Sequence, residues 1–222
     1  MKRLLLPLVL VACARTPPSP APSLPTTVAP VPLPVEASAV ALPTPATHTI
    51  LPTAEVAQDA SIYDLPAELV DQNAKAIDLA VWRGQPTVVA LFFASCPQAC
   101  PLLIGNIQYI EKGLTAAERA QLRVLLVSFE PVDDTPEVLR RVAKKYGLDT
   151  TRWRLARTDA DTVRDIAAVL GVAYRKLDDG SFNHSSVITL VDAEGHIIAR
   201  QDGIARSNEP VGPAIAKLLQ HK

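Results

Sequence analysis

The chain carries no excess charge of either sign and has few cysteines. Its 222 residues include 22 lysines and arginines against 23 acidic residues, which gives a net charge of −1 at pH 7. No basic cluster appears along the sequence. Because nucleic acids are bound through clustered lysine and arginine, this composition excludes them as partners. Only three cysteines are present: Cys13 near the N-terminus, and the pair Cys96 and Cys100.

The N-terminal apolar run is also short. It covers residues 4–11, too few to span a bilayer, and follows the positive start Met1-Lys2-Arg3. Leu10-Val11-Ala12-Cys13 then resembles a bacterial lipobox, which predicts cleavage before Cys13 and lipidation of that residue. An ordinary secretory signal and a plain transmembrane anchor are the alternatives. The small and branched side chains before Cys13 favour the lipobox.

A lipidated Cys13 predicts a protein anchored in the bacterial cell envelope on its periplasmic face. Arg15, rather than an aspartate, follows the cleavage point, which favours the outer membrane. This compartment is oxidising, so Cys96 and Cys100 are not kept reduced by default. Export also makes copper accessible and disfavours cytosolic cofactors.

The composition divides the chain into three parts. Residues 1–12 are the predicted lipoprotein signal peptide, and residues 13–57 are the lipidated cysteine with a tether rich in proline and alanine and almost without charge. Proline fixes backbone torsions and removes amide donors, so the tether is expected to be extended. Residues 58–222 are long enough for a single core, and we expect a monomeric domain.

Strand and helix patterns alternate along this domain. Thr135, with Pro136 after it, is predicted to cap the helix at 136–146, and Thr158 the helix at 158–170. The predicted elements are a hairpin at 67–79, strands at 87–93, 122–129 and 153–156, helices at 102–112, 136–146 and 158–170, a hairpin at 186–201 and a helix at 209–220. Apolar strands separated by helices predict an α/β fold with a central mixed sheet flanked by helices and an N-terminal β-hairpin, the thioredoxin-like layout.

Two cysteines follow the first central strand, in Cys96-Pro97-Gln98-Ala99-Cys100-Pro101. Each precedes a proline, which biases it toward extended backbone, so both are predicted in a loop with a helix from about Pro101. The positive end of that helix is expected to favour a thiolate at Cys100. Two thiols with this spacing close a disulfide or hold a soft metal ion, and the motif alone does not separate these roles. A static disulfide is the remaining alternative, although so short a loop restrains the unfolded chain little.

Three ordered motifs resemble those of the Sco/SenC family of copper proteins. They run from Phe92 to Pro101, from Ser128 to Pro136, and through Asn183-His184-Ser185, and the resemblance covers about 65–203. It implies a thioredoxin-like fold in which Cys96, Cys100 and His184 bind one copper ion. Thiolates suit Cu(I), and an imidazole beside them serves both Cu(I) and Cu(II).

The resemblance implies a metallochaperone for the CuA centre of cytochrome c oxidase rather than an enzyme in the strict sense. The partner is then subunit II of the oxidase, or another exported copper or thiol protein. The alternative is a thiol:disulfide oxidoreductase in which Cys96 and Cys100 are the catalytic pair. A thioredoxin-like peroxidase is a third interpretation, but it gives His184 no role.

The sequence departs from the family pattern beside the expected ligands but not at them. Ala94 replaces a common threonine, Gln98 an acidic residue between the cysteines, Glu130 an aspartate and Asn183 an aspartate before the histidine. Loss of acidic neighbours is expected to alter partner docking and to weaken Cu(II) relative to Cu(I), because fewer hard oxygen ligands lie nearby.

Overall fold

The computed structural model describes residues 61–176, 182–202 and 206–220. All of them belong to one compact unit, residues 51–222. The predicted signal peptide, the lipidated Cys13 and the tether of residues 13–57 lie outside the described residues. Across the three described ranges, no helix is both long and apolar enough to cross a membrane.

The described elements alternate as an α/β fold. The strands are β1 (Glu68–Asp71), β2 (Ala76–Asp78), β3 (Thr87–Phe92), β4 (Arg123–Ser128), β5 (Trp153–Arg157), β6 (Tyr174–Lys176), β7 (Phe182–His184), β8 (Val187–Val191) and β9 (Ile197–Asp202). The helices are α1 (Ala99–Lys112), α2 (Ala116–Gln121), α3 (Pro136–Lys145), α4 (Ala160–Leu170) and α5 (Val211–Gln220).

Seven strands form one mixed sheet in the order β2-β1-β5-β4-β3-β8-β9. The central strands β3, β4 and β5 are parallel, whereas the hairpins β1–β2 and β8–β9 add antiparallel strands at the two sides. This arrangement confirms the predicted mixed sheet. Phe92 at the end of β3 pairs in register with Ser128 at the end of β4, so the segments that follow them leave the sheet at the same edge.

Both faces of the central sheet are covered. Every residue of β3 is buried, and so is every residue of β4 after Arg123. Strands buried on both faces need apolar residues throughout, which explains the unbroken apolar runs in the sequence. Helix α3 packs on β1 and β5, and α5 packs on β8 and β9.

Three predicted helix starts are wrong by one or two residues. Helix α1 begins at Ala99 instead of Pro101, α4 is capped by Asp159 instead of Thr158, and α5 begins at Val211 instead of Glu209. The Asp159 carboxylate accepts from two backbone N–H groups of the first turn, while the Thr158 hydroxyl donates to the Glu68 carbonyl oxygen at 2.6 Å. Thr158 is therefore engaged with β1 and unavailable as a cap. The predicted Thr135 cap of α3, with Pro136 as its first residue, is confirmed.

The sequence patterns missed α2 and the β6–β7 hairpin. Helix α2 has a signal, because Thr115 and Glu118 form a reciprocal capping box. Strands β6 and β7 have three residues each and form a separate two-stranded sheet. Strands this short show no usable periodicity, so no sequence pattern indicates that His184 lies in a strand.

Candidate metal and thiol site

The two cysteines occupy different environments at the carboxyl end of β3. Cys96 is partly buried in the loop between β3 and α1, whereas Cys100 lies in the first turn of α1 with 3% of its surface exposed. The prediction that both lie in a loop is therefore wrong for Cys100. Its side chain is directed into the core by the helix that begins one residue earlier.

Hydrogen bonds from the backbone join the two sulfur atoms to one short segment. The Phe93 N–H donates to Cys100 Sγ at 3.3 Å, and the Cys100 N–H donates to Cys96 Sγ at 3.4 Å. Both cysteines are free thiols. The chain thus places two sulfur donors beside each other without a covalent bond between them.

Burial makes Cys100 a poor thiolate. Desolvation raises the pKa of its thiol well above the usual value; the hydrogen bond from the Phe93 N–H lowers it by less, and the charges of Cys96 and Asp134 add smaller increases. The expectation that the helix terminus stabilises a Cys100 thiolate is therefore wrong. The loss of hydration is the largest contribution to the raised pKa of Cys100.

This asymmetry predicts selective alkylation of the reduced protein. Iodoacetamide at about pH 8 is expected to modify Cys96 first, because only thiolates react and Cys100 keeps its proton. Peptide mapping by mass spectrometry measures the two rates, and the same reaction in urea is the control, since unfolding should equalise them. Equal rates in the folded protein would contradict the assignment.

The same pKa shift gives a pH dependence of stability. The folded-state pKa of Cys100 lies above its unfolded value, which is about 8.5. The protonated thiol therefore contributes stability that is complete below that unfolded value and declines as the pH rises toward the folded one.

A buried carboxylate anchors the loop that carries Cys96. Asp134 is 1% exposed, and one of its oxygens accepts from the Ala94 N–H at 3.0 Å and from the Ser128 hydroxyl. Burial raises the pKa of Asp134. Next to it, the Ser95 hydroxyl donates to Glu130 at 2.8 Å. The loop after β4 thus holds the dithiol loop from one side, a role that no sequence signal revealed.

The imidazole of His184 lies on an aromatic platform. Its ring centroid is 5.7 Å from that of Phe93 and 5.1 Å from that of Phe129, both in edge-on geometry, and Phe129 also stacks on Tyr174. His184 Nδ1 lies 3.1 Å from the Ser185 carbonyl oxygen. A proton on Nδ1 satisfies that carbonyl and leaves the Nε2 lone pair available to a metal.

The expected ligands meet around Phe93 rather than around a common point. Its amide contacts Cys100 Sγ, and its ring contacts His184. Within the described part of the chain, no three side chains of the His, Cys, Asp and Glu types are grouped closely enough to hold a metal ion. The two cysteines thus lie next to each other, whereas the imidazole of His184 lies in the neighbouring aromatic cluster of Phe93 and Phe129.

A sequence model of the SCO1/SenC family matches residues 56–220. The chain belongs to this family. The fold agrees with solved Sco structures, although at sequence identities that support the fold alone. One is ScoI of Bradyrhizobium japonicum with copper bound, at 22% identity and a TM-score of 0.58, covering 71% of this chain and 98% of that one.

Two other Sco structures show the same fold. A SCO1/SenC family lipoprotein from Bacillus anthracis gives 21% identity and a TM-score of 0.64, over 71% of this chain and 95% of that one. The third is BsSco, at 20% identity and a TM-score of 0.62, covering 73% of this chain and 96% of that one. It is described as having a disulfide switch and as a member of the Sco family of cytochrome c oxidase assembly proteins. The thioredoxin-like Sco fold predicted from the motifs is confirmed.

The donor set of this Sco protein fits copper. Two thiols and an imidazole are soft and intermediate ligands, which suit Cu(I) and Cu(II). The carboxylate of Asp134, whose charge acts on Cys100, is already engaged with Ala94 and Ser128. Hard ions that need several oxygen ligands are poorly served here.

Proposed function

We propose that this protein is a copper metallochaperone that binds one copper ion through Cys96, Cys100 and His184. The observation that supports it is the convergence on Phe93, whose amide contacts one thiol and whose ring contacts the imidazole. Copper is the cargo, so a site with few protein ligands is an advantage. It lets an incoming thiolate or imidazole displace one ligand at a time.

Binding requires a change at each ligand. The thiols must lose their protons, and for Cys100 this cost is high because its pKa is raised. The β6–β7 hairpin must bring His184 toward the sulfur atoms, past the edge of the Phe93 ring. Copper uptake is therefore expected to release protons and to alter the aromatic contacts of His184.

Anaerobic titration of the reduced full-length chain tests the proposal. We expect one copper per chain and a sulfur-to-copper charge-transfer band when Cu(II) is added. The Cys13→Ser variant serves as the matched control, since it removes the cysteine outside the dithiol and should keep the band. Retention of the band in Cys96→Ser would count against this function.

A second function, thiol:disulfide exchange, is supported by the same dithiol. Cys96 is accessible and lies within hydrogen-bonding distance of the Cys100 N–H, so the two sulfurs can approach and close a disulfide. A peroxidase is less well supported, because burial raises the pKa of Cys100 and His184 takes no part. Exchange and copper transfer can share one site, since the pair must be reduced before it takes metal.

The proposal extends to the location and partner. Lipidation at Cys13 and the tether of residues 13–57 would hold the domain at the periplasmic face of a membrane in the cell envelope. The B. anthracis lipoprotein supports this arrangement. We propose the CuA-bearing subunit II of cytochrome c oxidase as the recipient, supported by the oxidase-assembly description of BsSco.

A further inference from the structure

A cleft of about 340 Å³ opens beside the dithiol. Its inner wall includes Cys96, Cys100 and Phe93, and its outer wall is one face of α3. The volume lies within the range of roughly 300–1,000 Å³ that is usual for ligand pockets. Helix α3 contributes Val138, Arg141, Val142 and Lys145, and Tyr146, directly after the helix, completes this wall.

The cleft has a cationic rim. Arg141 and Lys145, one turn apart on α3, line the cleft, and no acidic side chain of the described residues does so. Arg141 pairs with Glu137 at 2.8 Å, but both side chains are largely exposed, so the pair neutralises little. The Lys145 ammonium lies 5.2 Å from the centre of the Tyr146 ring.

The loop after β4, which contacts the dithiol loop, is acidic. Glu130 accepts from Ser95, the residue directly before Cys96, and Asp133 in the same loop is exposed. The dithiol loop therefore borders a cleft with a cationic rim and contacts a loop of the opposite charge. This charge asymmetry favours one orientation of a charged partner that approaches Cys96.

We propose that the cleft docks a segment of an exported cysteine protein that carries carboxylates next to its cysteines. Its apolar side chains would contact Val138 and Tyr146, and its carboxylates would pair with Arg141 and Lys145. Glu130 would repel the reversed orientation. The inference rests on the proposed function, or on the exchange activity of the same site, and specifies the chemistry of the partner.

Disulfide exchange provides a readout that does not involve copper. The Cys96 thiolate attacks one sulfur of a peptide disulfide, a Cys96–peptide disulfide forms, the peptide S–S bond breaks, and the second peptide chain leaves as a thiolate. Release of that thiolate measures the rate of the first step. Docking of carboxylates accelerates this step only when the peptide carries them.

The experiment compares two fluorescent peptide disulfides that differ only by two aspartates replaced with asparagines. Both react with the reduced full-length chain in a Cys13→Ser background at low and high salt. We expect the acidic peptide to react roughly fivefold faster at low salt, with the preference reduced at high salt because ions screen exposed pairs. Arg141→Gln/Lys145→Gln is expected to abolish the preference.

Lys75→Gln/Lys144→Gln is the matched control, because it removes the same charge from two exposed residues that do not line the cleft. This variant should keep the preference. Equal rates for the two peptides, or equal loss in both double variants, would overturn the docking proposal. Copper stoichiometry is measured on the same preparations, so failure of the chaperone function is recognised separately.

Discussion

Replacing His184 with alanine is expected to separate copper binding from thiol chemistry. The affinity for Cu(II) should fall by at least about 100-fold, since even residues that only orient a metal ligand cost 10–100-fold when removed. Cu(I) should be affected less, because two thiolates already suit it. Exchange with a small disulfide should stay within about twofold, because Cys96 and the Phe93 amide are unchanged.

Competition with a chromophoric chelator measures the affinity, and release of a coloured thiol measures exchange. His196→Ala is the matched control, since His196 lies on the β8–β9 hairpin, paired with Asp192 at 3.1 Å. It should alter neither quantity. Unchanged Cu(II) affinity in His184→Ala would remove the histidine from the ligand set and leave exchange as the better-supported function.

The second large effect is expected at Asp134. Alanine there leaves the partly buried Ala94 N–H and the buried Ser128 hydroxyl without their acceptor. Each such group costs about 1–3 kcal/mol, so the free energy of unfolding should fall by about 2–6 kcal/mol. Urea unfolding measures the loss. The exposed neighbour provides the control, as Asp133→Ala should change stability by less than about 0.5 kcal/mol.

Asparagine at the same position distinguishes hydrogen bonding from charge. Both bonds reach one oxygen of Asp134, so an amide oxygen in Asp134→Asn can accept both. We expect most of the stability to return and the pKa of Cys100 to fall, because the charge of Asp134 helps to raise it. Faster alkylation of Cys100 at a fixed pH would show this; an unchanged rate would contradict the coupling.

The pH dependence follows from the raised pKa of Asp134. The protonated carboxyl is favoured by folding, so its contribution is complete below the unfolded pKa of about 3.9 and is lost as the pH rises through the folded value. Unfolding measured at successive pH values should show this decline in the native protein and not in Asp134→Asn.

The central sheet could be predicted because burial on both faces leaves a clear pattern. The continuous apolar runs of β3 and β4 allow no other position than the centre. The start of α1 could not be predicted so easily. Pro101 disfavours a helical residue before it, yet it occupies the third helical position, where its missing N–H would have no partner within the helix.

The family could be predicted from the sequence, but the environments of the proposed ligands could not. The motifs led to the proposal of Cys96, Cys100 and His184 as ligands, and the family assignment is confirmed. Burial of Cys100 depends on the first turn of α1, and burial of Asp134 depends on a loop of another strand. Such contacts join residues that are distant in sequence. The sequence around Asp134 would look the same if its carboxylate faced water, so its burial could not be predicted.

The separate sheet of β6 and β7 has a consequence for how such proteins diversify. His184 lies on the two-stranded sheet, which is separate from the seven-stranded sheet. Its imidazole contacts the segment between β3 and α1 through the ring of Phe93. Core substitutions that make the scaffold more heat-resistant need not stiffen the imidazole. Under the proposed ligand role of His184, changes in the small hairpin would retune metal preference at little cost to folding, so that robustness and cargo selectivity would evolve independently.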